Sequence, residues 1–197
     1  MTITPSTSAA SPAAGTALSA DLFRQAMGRH AAGVVIVTLT GRSGPSGLTV
    51  TSFSSASLDP PLVSFYIGHT SSNWPAIRDA DHFAVNLIGE GHQALAHRFA
   101  LKGEDRFAPP TRWNHGPQGL PLLSDATTHL ICQTESLVTV GDHELVVGLV
   151  LDAVFASGDR PLLHHQGRFT RPEACRQRVS RRDPRPVSRR SGDGGSA

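Results

Sequence analysis

Apolar and polar residues change their spacing several times along this chain, and each change marks an element. Leu22, Phe23, Ala26 and Met27 fall on one face of a 3.6-residue repeat, and Ser19 stands where a helix N-cap belongs. Gly33 ends that pattern. The run Val34–Thr40 is apolar and β-branched, which predicts a strand buried on both faces, and the Gly/Pro/Ser segment Gly41–Gly47 predicts the turn that closes it. Further strands are predicted at Leu48–Ser57, Leu62–Ile67, Phe83–Ile88, Thr128–Val140, Glu144–Ser157 and Leu162–Phe169, each bounded by Gly, Pro, Asp or Asn. Helices fit at Asn73–Ala80 and His92–Leu101, too few and too short to alternate with every strand as a doubly wound sheet requires. A mainly β, closed or nearly closed antiparallel barrel accounts for the pattern, because closure removes exposed edges.

Length and composition refine this picture. A chain of 197 residues accommodates one domain with tails, large enough for a core without disulfides or metal. We divide it into a disordered leader at 1–18, a domain at 19–170 and a basic disordered tail at 171–197. The leader is rich in Ser, Ala, Thr and Pro, carries no Lys or Arg, and lacks the apolar stretch of a signal peptide. No segment approaches the roughly 20 apolar residues that cross a bilayer. Cys132 and Cys175 are far apart and form no CxxC pair, so a reduced, cytoplasmic setting is expected. Residues 1–170 carry 10 Lys/Arg against 13 Asp/Glu, whereas 171–197 carry 8 Arg against 3 acids. The tail reads as a solvated segment or as an arm for an acidic partner; without an aromatic residue it has nothing on which to stack bases, and no nucleic-acid partner is expected.

The chemically informative stretch is Ser46–Ser57, where seven of twelve residues bear hydroxyls. Alternate residues of a strand share a face. Such a row faces either water, as a Thr-rich edge strand, or the polar edge of a flat heterocycle whose carbonyls and nitrogens it satisfies. Other chemistries are excluded by missing spacings. No GxGxxG turn or P-loop follows a strand, His143-Glu144 begins like HExxH but Val147 stands where the second histidine is needed, and no GxSxG elbow is present. His164 and His165 are adjacent and point to opposite faces of a strand, so no metal site is expected.

The stretch from Gly47 to Pro61, ending Ser57-Leu58-Asp59-Pro60-Pro61-Leu62-Val63, resembles the signature of the flavin reductase domain family. Further marks follow in order: Phe23–Ala26 with Ala32–Thr38, the FAVN strand at Phe83–Ile88, Leu95–Ala100, Asp105–Phe107, Gly119–Leu123, the GDH turn Gly141-Asp142-His143, and Arg160–Leu163. The resemblance covers about residues 21–170. It implies a six-stranded antiparallel split β-barrel with Greek-key connections and a few short flanking helices, which dimerises and binds one flavin per protomer.

By resemblance, Thr49, Val50, Thr51 and Ser52 contact the flavin ring and ribityl chain, and Ser54 and Ser55 line the same cleft. Ser71, Ser72 and Asn73 fall where relatives bind the flavin phosphate, at a helix start that serves equally as a plain N-cap. Arg98 with Phe99 matches a basic–aromatic pair beside the phosphate, although a helical arginine is by default a surface residue. Phe107 covers the ring or plugs the core. Gly141 and His143 stand beside the nicotinamide, with His143 as the catalytic residue that orients the carboxamide or stabilises negative charge arriving on the flavin. Phe169 belongs to the nicotinamide pocket or packs the barrel. Hydride transfer needs no nucleophile and no metal, only donor and acceptor held about 3.5 Å apart in a water-poor cleft.

The implied activity is NAD(P)H:flavin oxidoreduction, with FMN or FAD as acceptor, NADH or NADPH as donor, and a separate flavin-dependent monooxygenase as recipient of the reduced flavin. Two readings on the same barrel compete: a flavin-binding electron carrier that does not oxidise nicotinamide, and an oxidase related to the pyridoxamine-phosphate enzymes. The GDH turn weighs against the first, and the combination of SLDPPLV, FAVN and GDH against the second.

Overall fold

The computed structural model describes residues 17–103, 105–156 and 160–173, so most of the leader and nearly all of the tail lie outside the described residues. In chain order the elements are α1 (Ala20–Met27), β1 (Ala32–Gly33), β2 (Val35–Gly41), β3 (Gly44–Val50), β4 (Ser54–Leu58), β5 (Pro61–Gly68), α2 (Trp74–Arg78), β6 (His82–Ile88), α3 (Gln93–Ala100), β7 (Trp113–His115), β8 (Pro121–Leu123), β9 (Ala126–Val140), β10 (His143–Phe155), β11 (Leu163–His165) and β12 (Arg168–Thr170). The main sheet is antiparallel and has seven strands in the order β3-β2-β6-β9-β10-β5-β4. This corrects the six-stranded split barrel, expected closed or nearly closed: there are seven strands and the hydrogen-bonded ladder is open, with β3 and β4 as its edges.

Those edges are nevertheless neighbours in sequence. Six strand spacings would hold them about 28 Å apart in a flat sheet, yet only Thr51, Ser52 and Phe53 connect Val50 to Ser54. Such a link spans at most roughly 14 Å. The sheet therefore has to curl until its edges approach. The single predicted strand Leu48–Ser57 is accordingly two strands with a break at 51–53. The Ser52 hydroxyl stands in for a strand partner there, accepting from Tyr66 N at 2.9 Å.

Both faces of β2 are buried, as its unbroken apolar run implies. Val35, Val37 and Leu39 join the interior cluster around Phe65, Phe83, Ile67 and Val146, while Ile36 joins a second cluster with Ala96, Phe99 and Leu123 beneath α3. Two glycines allow close approach. A Cβ on Gly148 would lie 2.4 Å from Phe83 Cζ, and one on Gly47 would lie 2.9 Å from Val37 O and 3.0 Å from Phe99 Cε1. Residue 47, in the middle of β3, is thus glycine because β3 is pressed onto β2 and α3.

Asn86, in the FAVN strand, is fully buried and ties the sheet to β8. Its Nδ2 donates to Ile36 O and Thr38 Oγ1, and its Oδ1 accepts from Leu123 N. Because Oδ1 only accepts, the His129 Nδ1 at 3.0 Å carries the proton. Burial holds the His129 pKa below its ordinary value. The fold thus binds fewer protons than the unfolded chain below the free-histidine pKa, and stability falls with decreasing pH in that window. Urea midpoints are expected to hold above neutrality and decline as the pH is lowered through about 6.5. The decline should be shallower in His129→Asn, which keeps a donor near the Nδ1 position without a titrating ring.

Among the described residues, no helix is long and apolar enough to cross a membrane, and no group of three His, Cys, Asp or Glu is placed to hold a metal ion. Burial pushes the Cys132 thiol up to about 12, which leaves it without thiolate character.

Candidate active site

The longest hairpin, β9–β10, ends in a two-residue turn, Gly141-Asp142. Gly141 has φ 62°, the positive value that a primed hairpin turn requires at its first central position. Asp142 then accepts a hydrogen bond from the next residue: His143 Nδ1 lies 2.7 Å from Asp142 Oδ1. That bond holds the Asp142 carboxyl below its ordinary pKa. With Nδ1 so engaged, Nε2 is the free ring nitrogen, and it sits over Gly68, where a Cβ would be 3.5 Å away. His143 and Gly68 are register partners on β10 and β5.

This corner opens into a cleft of about 330 Å³ whose walls include Thr49 to Ser52, Gly68, Ser71 and His143. The curl of the sheet creates it, since Thr51 and Ser52 belong to the link between the edges. Residues 51–53 lie outside both strands, so their backbone N–H and C=O groups are not committed to the ladder. Tyr66, part-exposed beside Ser52, also lines the cleft.

Two of these walls also serve the core: Val50 packs into the interior cluster, and the Thr49 hydroxyl donates to Ala96 O at 2.6 Å. Other predicted residues fall elsewhere. Ser54 and Ser55 lie on β4, outside the walls, and the Ser54 hydroxyl bonds Ser55 O. Ser72 lines a neighbouring cleft of about 480 Å³ with Arg42, Ser46 and Asp79. Asn73 is turned inward, accepting from Ser46 Oγ and Arg106 Nη1, and the helix it begins is only five residues long. Arg98 projects from α3 into a third cleft with Thr111 and Asp125, and its Nη2 donates to Asp105 O. Phe99 is buried and stacks edge-on with Phe107, which in turn meets Trp113. Phe169 packs against His164 in the β11–β12 hairpin.

The sequence reading passed over two arrangements. Arg106 joins Gly47 O, Asn73 Oδ1 and Leu101 O, tying β3 to the start of α2 and the end of α3. His69 and the buried Glu144 meet at 3.0 Å one residue beyond the Gly68–His143 pair. The only signal for the first was the Asp105-Arg106-Phe107 motif, and for the second an acid placed after the GDH turn.

Residues 27–173 match the model of the flavin reductase like domain. The chain belongs to that family. A relative from Rhodococcus erythropolis, an NADH:FMN oxidoreductase, is 43% identical over 168 residues, covering 83% of this chain and 88% of its own. The reductase subunit of a flavin-dependent monooxygenase from Rhodococcus jostii is 35% identical over 157 residues, 80% of each chain. Among solved structures, the NADH:FAD oxidoreductase of Streptomyces globisporus, in complex with NAD and FAD fragments, superposes with a TM-score of 0.73 at 33% identity and covers 77% of this chain and 92% of that one. Membership of the flavin reductase family accounts for the mainly β architecture and for the order of the sequence marks.

Proposed function

We propose that this chain is an NAD(P)H:flavin oxidoreductase that reduces FMN or FAD with NADH or NADPH and releases the product to a separate monooxygenase. The observation that carries the reading is the convergence, in one cleft, of Thr51 and Ser52, whose backbone lies outside both strands, with the His143 ring. This donor set fits a flavin: a flat ring with alternating acceptors and donors along one edge matches an unpaired strand edge. Relatives named for NADH and for monooxygenase partners support the donor and the recipient.

A flavin bound there supplies the two-electron acceptor. The chain's own residues bind and orient. The Thr51 side chain and the backbone of Thr51 and Ser52 hold the ring edge, Ser71 lies beside Gly68, and His143 presents Nε2 to the carboxamide of the donor while Asp142 fixes its tautomer. Ser54, Ser55, Ser72, Asn73, Arg98, Phe99, Phe107 and Phe169 act, in this reading, as framework around the cleft rather than as its walls.

We also assign a second copy of the chain to the exposed apolar faces. Helix α1 buries no residue, its Leu22, Phe23 and Met27 are about half exposed, and Phe155 is 79% exposed. Mixing purified protein with NADH or NADPH and free flavin should deplete the reduced nicotinamide catalytically, as followed by its absorbance. Tight flavin binding without that depletion would favour the electron-carrier reading.

A further inference from the structure

Resting on the reading of His143 as the residue that seats the donor, we propose that His69 and Glu144 are positioning residues that clamp the Gly141–His143 turn onto the end of β5. The turn joins β9 to β10 at the end of the ladder, where β10 is paired with β5 as far as His143 and Gly68, and Asp142 and His143 are exposed there. A hairpin tip held only by its own ladder frays. Here a second attachment exists. The His69 backbone N–H donates to Asp142 O at 3.1 Å, and the His69 ring meets Glu144 Oε2 at 3.0 Å. One residue of β5's exit thereby grips the positions before and after His143.

Glu144 is suited to anchor this grip. It is only 7% exposed, and Thr139 Oγ1 donates to its carboxylate from the facing strand β9. Three strand ends, those of β5, β9 and β10, are thus joined at one carboxylate. The His69 ring leans toward Trp74 at 6.0 Å between centroids, which ties the clamp to the start of α2. Nothing in the flavin-binding side of the cleft requires this pair: neither His69 nor Glu144 is among its walls.

The test compares steady-state NADH oxidation by His69→Ala, His69→Gln, Glu144→Ala and Glu144→Gln, alone and combined with His143→Ala, alongside flavin affinity measured by fluorescence quenching. The alanine variants are expected to lose about tenfold in kcat/KM for NADH, chiefly through KM, with flavin affinity unchanged. The glutamine variants keep a donor or acceptor within reach and recover most of the loss. In the His143→Ala background the same substitutions should change nothing further, because their effect passes through His143. Full activity in His69→Ala would overturn the clamp while leaving the flavin reductase reading intact. Losses that multiply with that of His143→Ala would overturn it too, and so would equal losses in alanine and glutamine variants. A His143→Ala substitution without effect on NADH oxidation would instead bring down the reading on which the clamp rests, and the clamp with it. Should His69→Ala misfold, His69→Asn, too short to span the contact, takes its place with the same expectations.

Discussion

Replacing His143 by alanine is expected to lower kcat/KM for NADH by about 10²–10³-fold and to leave flavin affinity nearly unchanged. Among the described walls of the cleft it is the only side chain that carries ring nitrogens, the rest being apolar, hydroxyl-bearing or glycine. Its tautomer is set by Asp142, so Nε2 faces the cleft as an acceptor when the ring is neutral and as a donor when it is protonated. A donor dinucleotide must be held so that its hydride is aligned, and a misplacement of about 1 Å is costly. In the proposed reading, flavin binding draws instead on Thr51 and Ser52, in the link between the sheet edges. Single-turnover reduction at saturating flavin, followed through the flavin absorbance, separates the two contributions. A loss of flavin affinity with an unchanged reduction rate would move His143 from the donor to the acceptor side of the site. The Asp142→Asn variant, which keeps an acceptor for Nδ1 but not its charge, should fall between wild type and His143→Ala.

The fold class was legible because its strands carry strong periodic signals. The continuous apolar run of β2 predicted burial on both faces, and Val35–Leu39 are buried throughout. What the pattern could not convey was where the ladder breaks. A row of hydroxyls from Ser46 to Ser57 reads as one strand, since Ser and Thr suit a strand and a connector alike; only the curl of the sheet requires a gap at 51–53. The turn predicted at Gly41–Gly47 proved shorter for a similar reason, because β3 begins at Gly44 and pairs with β2 through Pro45 and Ser46 on its edge. The segment Leu162–Phe169 is a hairpin whose turn places Gln166 at φ 50°, and glutamine gives no signal for that conformation. The short β7–β8 hairpin escaped prediction altogether, since three-residue strands carry no periodicity.

Site residues divide along the same line. Thr51, Ser52, Ser71 and His143 converge because strand ends and turns bring them to one corner, and local motifs record such ends well. Asn73, Arg98 and Phe99 stand close to that corner in sequence motifs but are turned away by packing: a buried Asn satisfied by Ser46 and Arg106, a helix face directed at Thr111, and a ring sealed in the second core cluster. Which way a helical side chain points depends on the surface beneath it, and that surface is assembled from distant strands. The aromatic series Phe99, Phe107, Trp113 and His115, each ring edge-on to the next, runs from α3 to β7, with Phe99 pressed against Gly47 of β3.

The substitution expected to cost the most stability is Asn86→Leu, at about 3–5 kcal/mol. Asparagine in the middle of a buried strand is unfavourable unless every polar atom finds a partner, and here all four positions are used. Nδ2 donates to Ile36 O and Thr38 Oγ1 at 2.9 Å each, while Oδ1 accepts from Leu123 N at 2.9 Å and from His129 at 3.0 Å. Leucine matches the volume but accepts nothing. Two donors, the Leu123 amide and the His129 ring, would then be left in an apolar layer, and each carries a desolvation cost of roughly 1–3 kcal/mol. Thr38 keeps its bond to Pro121 O, so β8 stays tethered at one point and the fold is weakened rather than rearranged. Urea unfolding above neutral pH, where His129 is neutral in both states, measures the loss without the proton linkage. None of the Asn86 partners lines the cleft, so kcat/KM per folded molecule should hold. A variant as stable as wild type would mean that the network contributes nothing beyond the packing of the residue, and that the asparagine of the FAVN strand is needed elsewhere.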